Sequence, residues 1–177
     1  MNIIGLSGYA RSGKDTVASI LVENHGYHRV AFADAIREFL IEINPILSNG
    51  ARLNEVLPDI GWENAKAHTE VRRLLQDTGV GARKLFGESF WVNQALRKFA
   101  ESDKVVVTDV RFQNEASTIK NNGGVIWRID REGIFPVNSH ISEHDLDNWD
   151  FDLYLPNKGT LEDLTFAVNY QMSEVFK

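Results

Sequence analysis

The chain of 177 residues contains no cysteine. Disulfides and thiolate metal sites are therefore excluded. Surplus positive charge is also lacking: 19 Lys and Arg stand against 25 Asp and Glu, a formal net charge of −6. Broad nucleic-acid binding wants a basic face and is not expected; a small anionic substrate in a local basic pocket stays open. No apolar run approaches the length of a membrane span. The first residues already read as a strand rather than a secretion signal, so the expected location is cytoplasmic. There is no internal repeat and no low-complexity tract. What remains, 43% hydrophobic and 25% charged, is the composition of an ordinary soluble domain with a sizeable core.

The chain is organised around a stretch near its start. Ile3-Ile4-Gly5-Leu6-Ser7 reads as a short buried strand. Gly8-Tyr9-Ala10-Arg11-Ser12-Gly13-Lys14-Asp15-Thr16 follows, then the helical pattern Val17, Ile20, Leu21. Strand, glycine-bounded loop, Gly-Lys and helix make a phosphate-binding loop. A loop turned tightly between Gly8 and Gly13 directs backbone N–H groups inward, and the helix adds its N-terminal N–H groups and dipole. Lys14 can reach the β- and γ-phosphates of a triphosphate. Asp15 stands where a hydroxyl usually meets Mg²⁺. A carboxylate there adds like charge unless it binds metal directly or through water, so its metal role is open. Thr16 is better placed to bond the α- or β-phosphate.

Strand patterns fall at 2–7, 28–33, 104–108, 124–129 and 152–155, separated by helical patterns at about 14–24, 34–43, 63–86, 90–101, 112–121 and 160–176. This alternation predicts an α/β domain, a five-stranded parallel sheet with helices on both faces. Val105-Val106-Val107 suits a central strand buried on both sides. Residues 44–61, with Pro45 and Pro58, read as a loop or mobile insert. A second irregular stretch runs from Asp130 to Asp150. Ligands of such sheets bind beyond the carboxyl ends of the strands.

After the second strand, Asp34 is either a helix N-cap or, with Arg37, faces a second substrate. On the helix around 70–86, Arg72, Gln76 and Arg83 share a face with Arg73 nearby, while Leu74, Leu75 and Leu85 serve the buried side. Arginines there suit a phosphate, and Gln76 a base edge, against the plainer reading of a solvated face. Trp91 is core packing or a wall beside a base. Asp109 ends the third strand where a carboxylate holds Mg²⁺ or its water; Arg111 can reach a phosphate, and Asn114 binds substrate or caps. Arg128 and Arg131 are placed where a lid closes over a transferring phosphoryl group. In Ser139-His140-Ile141-Ser142-Glu143-His144 a metal pair is not favoured, for want of a third ligand. The loop Asn157-Lys158-Gly159 can present backbone groups to adenine, and Thr160 caps the last helix with Asp163.

Together Ser7-Gly8, Arg11 to Thr16, Phe32-Ala33-Asp34, Arg73-Leu74-Leu75-Gln76-Asp77-Thr78-Gly79, Thr108-Asp109-Val110-Arg111-Phe112-Gln113-Asn114-Glu115, Arg128 to Arg131, Ser139 to Glu143 and Asn157 to Thr160 resemble the bacteriophage-type deoxynucleoside monophosphate kinases of the P-loop nucleoside monophosphate kinase superfamily. The resemblance spans nearly the whole chain. It implies a single three-layer P-loop NTP hydrolase domain over 1–177, with a monophosphate-binding helical segment at about 34–100 and a lid at about 130–150. It implies transfer of the γ-phosphoryl of ATP to a deoxynucleoside monophosphate with Mg²⁺, supplying DNA precursors for a phage in its host's cytoplasm. Gly8, Arg11, Ser12, Gly13, Lys14, Asp15, Thr16, Asn157 and Gly159 then bind ATP. Asp34, Arg37, Arg72, Arg73, Gln76, Arg83, Trp91, Asp109, Arg111 and Asn114 serve the acceptor. Lys14, Arg111, Arg128 and Arg131 act on the transferred group, and Asp15 and Asp109 attend Mg²⁺ through water. The alternatives are a dephospho-coenzyme A kinase, a phosphomevalonate kinase, or a non-catalytic ATP-binding switch. No nucleic acid or membrane partner is expected; a homodimer stays open.

Overall fold

The computed structural model describes residues 2–65, 68–99, 102–137, 139 and 141–175. In chain order its elements are β1 (Asn2–Ser7), α1 (Lys14–His25), β2 (His28–Val30), α2 (Phe32–Ile43), α3 (Leu53–Ala65), α4 (Thr69–Phe86), α5 (Phe90–Phe99), β3 (Lys104–Val107), α6 (Gln113–Asn121), β4 (Val125–Asp130), α7 (Ile141–His144), β5 (Leu153–Pro156) and α8 (Leu161–Val175). They form two compact units, Met1–Ala31 with Leu96–Lys177, and Phe32–Ala95.

The first unit is built on a five-stranded sheet in the order β2-β3-β1-β4-β5, all pairs parallel. Alternate side chains explain why it is covered on both faces. Ile4, Leu6, Val106, Trp127, Ile129 and Leu155 share one core with Val17, Ala18, Ile20 and Leu21 of α1 and Leu164 and Val168 of α8. On the other face Gly5 lies against α6: an added Cβ would stand 2.8 Å from both the Ile119 and Ile126 Cδ1 atoms. A side chain at position 5 would thus crowd the ends of Ile119, Ile126 and Val110, which would have to repack between β1 and α6. The chain passes from β1 to β2 and β3 on one side, then crosses to β4 and β5 on the other. The carboxyl end of β1 is therefore a switch point, where such sheets open a crevice.

The second unit holds a separate core of Leu40, Leu47, Leu53, Ala65 and Val71, with Ile36, Val56, Leu57, Trp62, Leu74 and Leu75 packed against it. Here three expectations fail. Residues 44–61 are not simply a loop, because α3 begins at Leu53. Leu53, Val56 and Leu57 recur at helical spacing and bury a stripe, which outweighs the break signalled by Pro58; Gly61, at φ 66°, takes the kink. The pattern at 63–86 is likewise two helices, with a boundary between Ala65 and Thr69. Leu85 is 77% exposed rather than buried, lying beyond the reach of the cluster that covers Leu74 and Leu75. Residues 66, 67, 100, 101 and 176 of the expected helices, and His140, lie outside the described residues. No helix among the described residues is long and apolar enough to cross a membrane.

Candidate active site

The loop between β1 and α1 takes the shape its sequence dictates. Gly8 has φ 142° and Gly13 φ 106°, values that side-chain-bearing residues rarely adopt. A Cβ on Gly8 would strike the Ile129 carbonyl oxygen, and one on Gly13 the Asn157 amide nitrogen. Arg11 also has positive φ, 67°, with its side chain exposed. The Ser12 N–H donates to the Tyr9 carbonyl at 3.2 Å. The Ser12 hydroxyl is buried without a hydrogen-bond partner among the described residues, an orphaned polar atom in a loop shaped for an anion.

Lys14, the first residue of α1, turns back over this loop. Its ammonium donates to the carbonyls of Gly8 at 2.7 Å and Tyr9 at 2.8 Å. Two of its three protons are so directed, which leaves one for a phosphate oxygen. Burial lowers its pKa to about 8, and the Arg111 and Arg128 guanidiniums push the same way against Asp15 and Glu143. Three cations thus feel one another beside the loop. Asp15 is exposed and Thr16 half-buried on the first turn of α1.

Beyond β3 the backbone is held on both sides. The Thr108 N–H donates to Val30 at 3.0 Å and the Val110 N–H to Leu6 at 3.2 Å. Asp109, half-buried, is fixed between these bonds beside the P-loop strand. The buried Glu115 carboxylate accepts from the N–H groups of Arg111 (2.8 Å) and Phe112 (3.1 Å), which shapes the turn carrying Arg111. Asn114, half-buried in the first turn of α6, offers its carbonyl to the Thr118 hydroxyl at 2.8 Å.

Arg128 requires a correction. It belongs to β4, in register with Ser7, and is 8% exposed, so it is no part of a lid. Its guanidinium stacks 4.4 Å above the Tyr9 ring and 5.6 Å from Phe151, and Nε donates to Asp130 at 3.0 Å. Arg131 follows, exposed, in a turn where its carbonyl accepts from Ile134 at 3.1 Å. A small pocket is lined by Ser7, Gly8, Tyr9, Arg111, Arg128 and Glu143 among others.

The loop after β5 joins the cradle through a side chain: Asn157 Nδ2 donates to the Ser12 carbonyl at 2.9 Å. Gly159 is needed where it is, because a Cβ there would strike the Asp163 carboxylate. Thr160 and Asp163 cap α8 reciprocally, N–H of each to the side-chain oxygen of the other at 2.8 and 3.2 Å.

The remaining candidates lie in the second unit. Asp34 is in the first turn of α2, which starts at Phe32, so it is not the N-cap; it pairs with Arg37 at 2.9 Å. Arg37 lies 5.9 Å from the Trp62 ring centroid, and its Nε is buried without a partner among the described residues. On α4, Arg72, Arg73 and Gln76 are exposed and Arg83 half-buried. The Arg73–Asp77 pair, at 4.0 Å and largely exposed, is worth little. Trp91 takes the packing role: it is buried and donates its indole N–H to the Gly79 carbonyl at 3.0 Å.

Several contributors escaped the sequence: Tyr9, Glu115, Glu143 and Asp147. Tyr9 Oη donates to Asp147 at 3.1 Å, and Arg111 pairs with Glu143 at 2.8 Å. Both partners are more than thirty residues away, and only the carboxylate-rich run at 143–147 hinted at them. A Mg²⁺ ion fits the donor chemistry. No group of three or more ligating side chains that could hold a metal alone occurs among the described residues. Mg²⁺ beside a nucleotide needs only one or two carboxylates, with phosphates and water supplying the rest. The carboxylates nearest the loop in sequence are Asp15, exposed in the first turn of α1, and Asp109, half-buried just beyond β3.

A lysine-bearing anion cradle at the switch point of a parallel sheet defines a nucleotide-binding protein of the P-loop class. The fold agrees: the chain is similar to dephospho-CoA kinase from Campylobacter jejuni, with a TM-score of 0.52 at 15% identity over 99% of this chain and 98% of that one. Residues 51–168 match the family of deoxynucleotide monophosphate kinases, and the chain belongs to it. A protein of Acanthamoeba polyphaga mimivirus, named provisionally as such a kinase, is 32% identical over 92% of both chains. The deoxynucleotide monophosphate kinase of Escherichia phage RB69 is 31% identical over 53% of this chain and 41% of its own length.

Proposed function

We propose that the protein transfers the γ-phosphoryl group of ATP to the 5′-phosphate of a deoxynucleoside monophosphate, yielding the diphosphate and ADP. The observation that carries this reading, within the family just named, is the gathering of Lys14, Arg111 and Arg128 around the loop. An oxygen of the acceptor phosphate attacks the γ-phosphorus, and the bond to the β–γ bridging oxygen breaks. The acceptor is already ionised at neutral pH, so positioning and charge suffice and no general base is needed.

In this reading the Gly8–Thr16 loop cradles the ATP phosphates, the orphaned Ser12 hydroxyl finds its partner there, and Lys14 follows the transferred group. Asp109, with Asp15, would hold Mg²⁺, which supplies charge neutralisation on the phosphates when bound. Arg111 grips a phosphate, Arg128 provides fixed positive charge from β4, and Arg131 closes from its exposed turn as lid. Asp34, Arg37, Arg72, Arg73, Gln76 and Arg83 are assigned to the acceptor, with Asn114 beside Arg111. Asn157 steadies the loop from outside, and Gly159 lets the α8 cap close behind it. The protein acts in the cytoplasm, the host's where a phage encodes it. ADP release measured with the four deoxynucleoside monophosphates, dephospho-coenzyme A and phosphomevalonate tests the proposal. Turnover with at least one deoxynucleotide is expected. Turnover only with another acceptor, or slow hydrolysis indifferent to acceptor, overturns it.

A further inference from the structure

Arg111 does not hold its place alone. Its Nη1 is 2.8 Å from Glu143 Oε1. The two partners differ in exposure: the Glu143 side chain is 9% exposed, that of Arg111 43%. A nearly buried carboxylate therefore grips a half-open guanidinium through one nitrogen, and the remaining donors of the fork stay available to a second anion.

The segment carrying Glu143 is anchored from several directions. Asp145 accepts from the Gln113 N–H at 2.8 Å through its carboxylate and from Gln113 Nε2 at 3.0 Å through its carbonyl. Asp147 accepts from Tyr9 Oη at 3.1 Å and lies 2.9 Å from His144 Nδ1. Leu146 is buried beneath. Tyr9 is itself stacked under Arg128, so the segment is tied to the phosphate loop on one side and to the start of α6 on the other. Glu143 is thereby a fixed point. The pocket that it lines with Arg111, Arg128, Ser7 and Gly8 retains about 10 Å³, room for about one water molecule. A carboxylate among three cations also offsets their mutual repulsion, at the cost of negative charge near a phosphate. That cost has a reason if the carboxylate aims the arginine.

We propose that Glu143 is a positioning residue for phosphoryl transfer, its anchored carboxylate orienting the Arg111 guanidinium toward the phosphate that Arg111 binds. The proposal rests on Arg111 acting in turnover. A double-mutant cycle on the full chain tests it, using ATP and the best deoxynucleotide acceptor, with Glu143→Ala, Glu143→Gln, Arg111→Ala and the double variant. Glu143→Ala is expected to lower kcat about tenfold or more, with the KM for ATP and the Tm unchanged. Glu143→Gln, which keeps an acceptor oxygen, is expected to recover part of the loss. In the Arg111→Ala background, removing Glu143 should have almost no further effect. Additive losses, a fall in Tm that accounts for the activity, or a gain in rate when Glu143 is removed would each overturn the proposal. An Arg111→Ala enzyme as fast as wild type would remove its premise, while a wild type without deoxynucleotide turnover would instead remove the functional reading.

Discussion

Lys14 and the arginines of α4 carry the same charge in contrasting ways. Lys14 opens α1 directly after a loop fixed by Gly8, Gly13 and Asn157, with its ammonium buried enough to lower its pKa to about 8. Arg72 and Arg73 stand exposed on a helix whose other face does the packing. A charge fixed by burial is organised before an anion arrives and acts strongly, because little reorganisation remains. A charge on an open face contributes when a ligand immobilises it, and its removal leaves the fold intact. Variants in the two regions should therefore separate turnover, stability and acceptor affinity.

The largest separation is expected at Lys14. Lys14→Ala should lower kcat on the order of 10²–10³-fold with unchanged circular dichroism, and near-wild-type turnover would place the phosphates elsewhere. At Gly8 the effect should be on stability: Gly8→Ala combines a φ of 142° with a collision against the Ile129 backbone. A loss of about 3 kcal/mol or more is expected in urea unfolding. Gly13→Ala should cost less: its φ of 106° is strained too, but its Cβ first meets the Asn157 side chain rather than backbone, and an equal loss would show that the backbone collision at Gly8 adds nothing.

On α4, Arg72→Ala and Arg73→Ala should raise the KM for the acceptor about tenfold or more, in line with a charged hydrogen bond of about 1.5–3 kcal/mol. The KM for ATP and the unfolding midpoint should hold; a parallel rise in both KM values would mean that the two regions are not distinct in function. The next effect is pH dependence. The lowered pKa means that Lys14 loses its proton as pH rises through about 8, below the ordinary lysine value of 10.5. ATP affinity should fall above about pH 8, and binding there should take up protons, as calorimetry in buffers of different ionisation enthalpy would record. Affinity flat to pH 10 would show that the ammonium is not lowered. Smallest is Trp91→Phe, which deletes the bond to Gly79 and should cost about 1 kcal/mol without changing the KM for ATP.

How much of this was legible follows from the range of the interactions. The phosphate loop could be read because strand, glycines, Lys14 and helix are consecutive, and its chemistry is local. The position of Asp109 and Arg111 just beyond β3 followed from the apolar strand before them, and the Thr160–Asp163 cap from three-residue spacing. Local cues misled at α3, where Pro58 and Gly61 outweighed the stripe of Leu53, Val56 and Leu57 that packing rewards. Arg128 lay in a recognised strand pattern, but its stacking on Tyr9, 119 residues earlier in the chain (128 − 9), is tertiary. The Arg111–Glu143 pair spans 32 residues and was invisible for the same reason.

The most direct test of the central claim follows phosphorus itself. With ATP, Mg²⁺ and a deoxynucleoside monophosphate, ³¹P NMR should show ADP and the deoxynucleoside diphosphate rising together, one for one, without inorganic phosphate. Inorganic phosphate rising with ADP while every deoxynucleotide stays a monophosphate would contradict it.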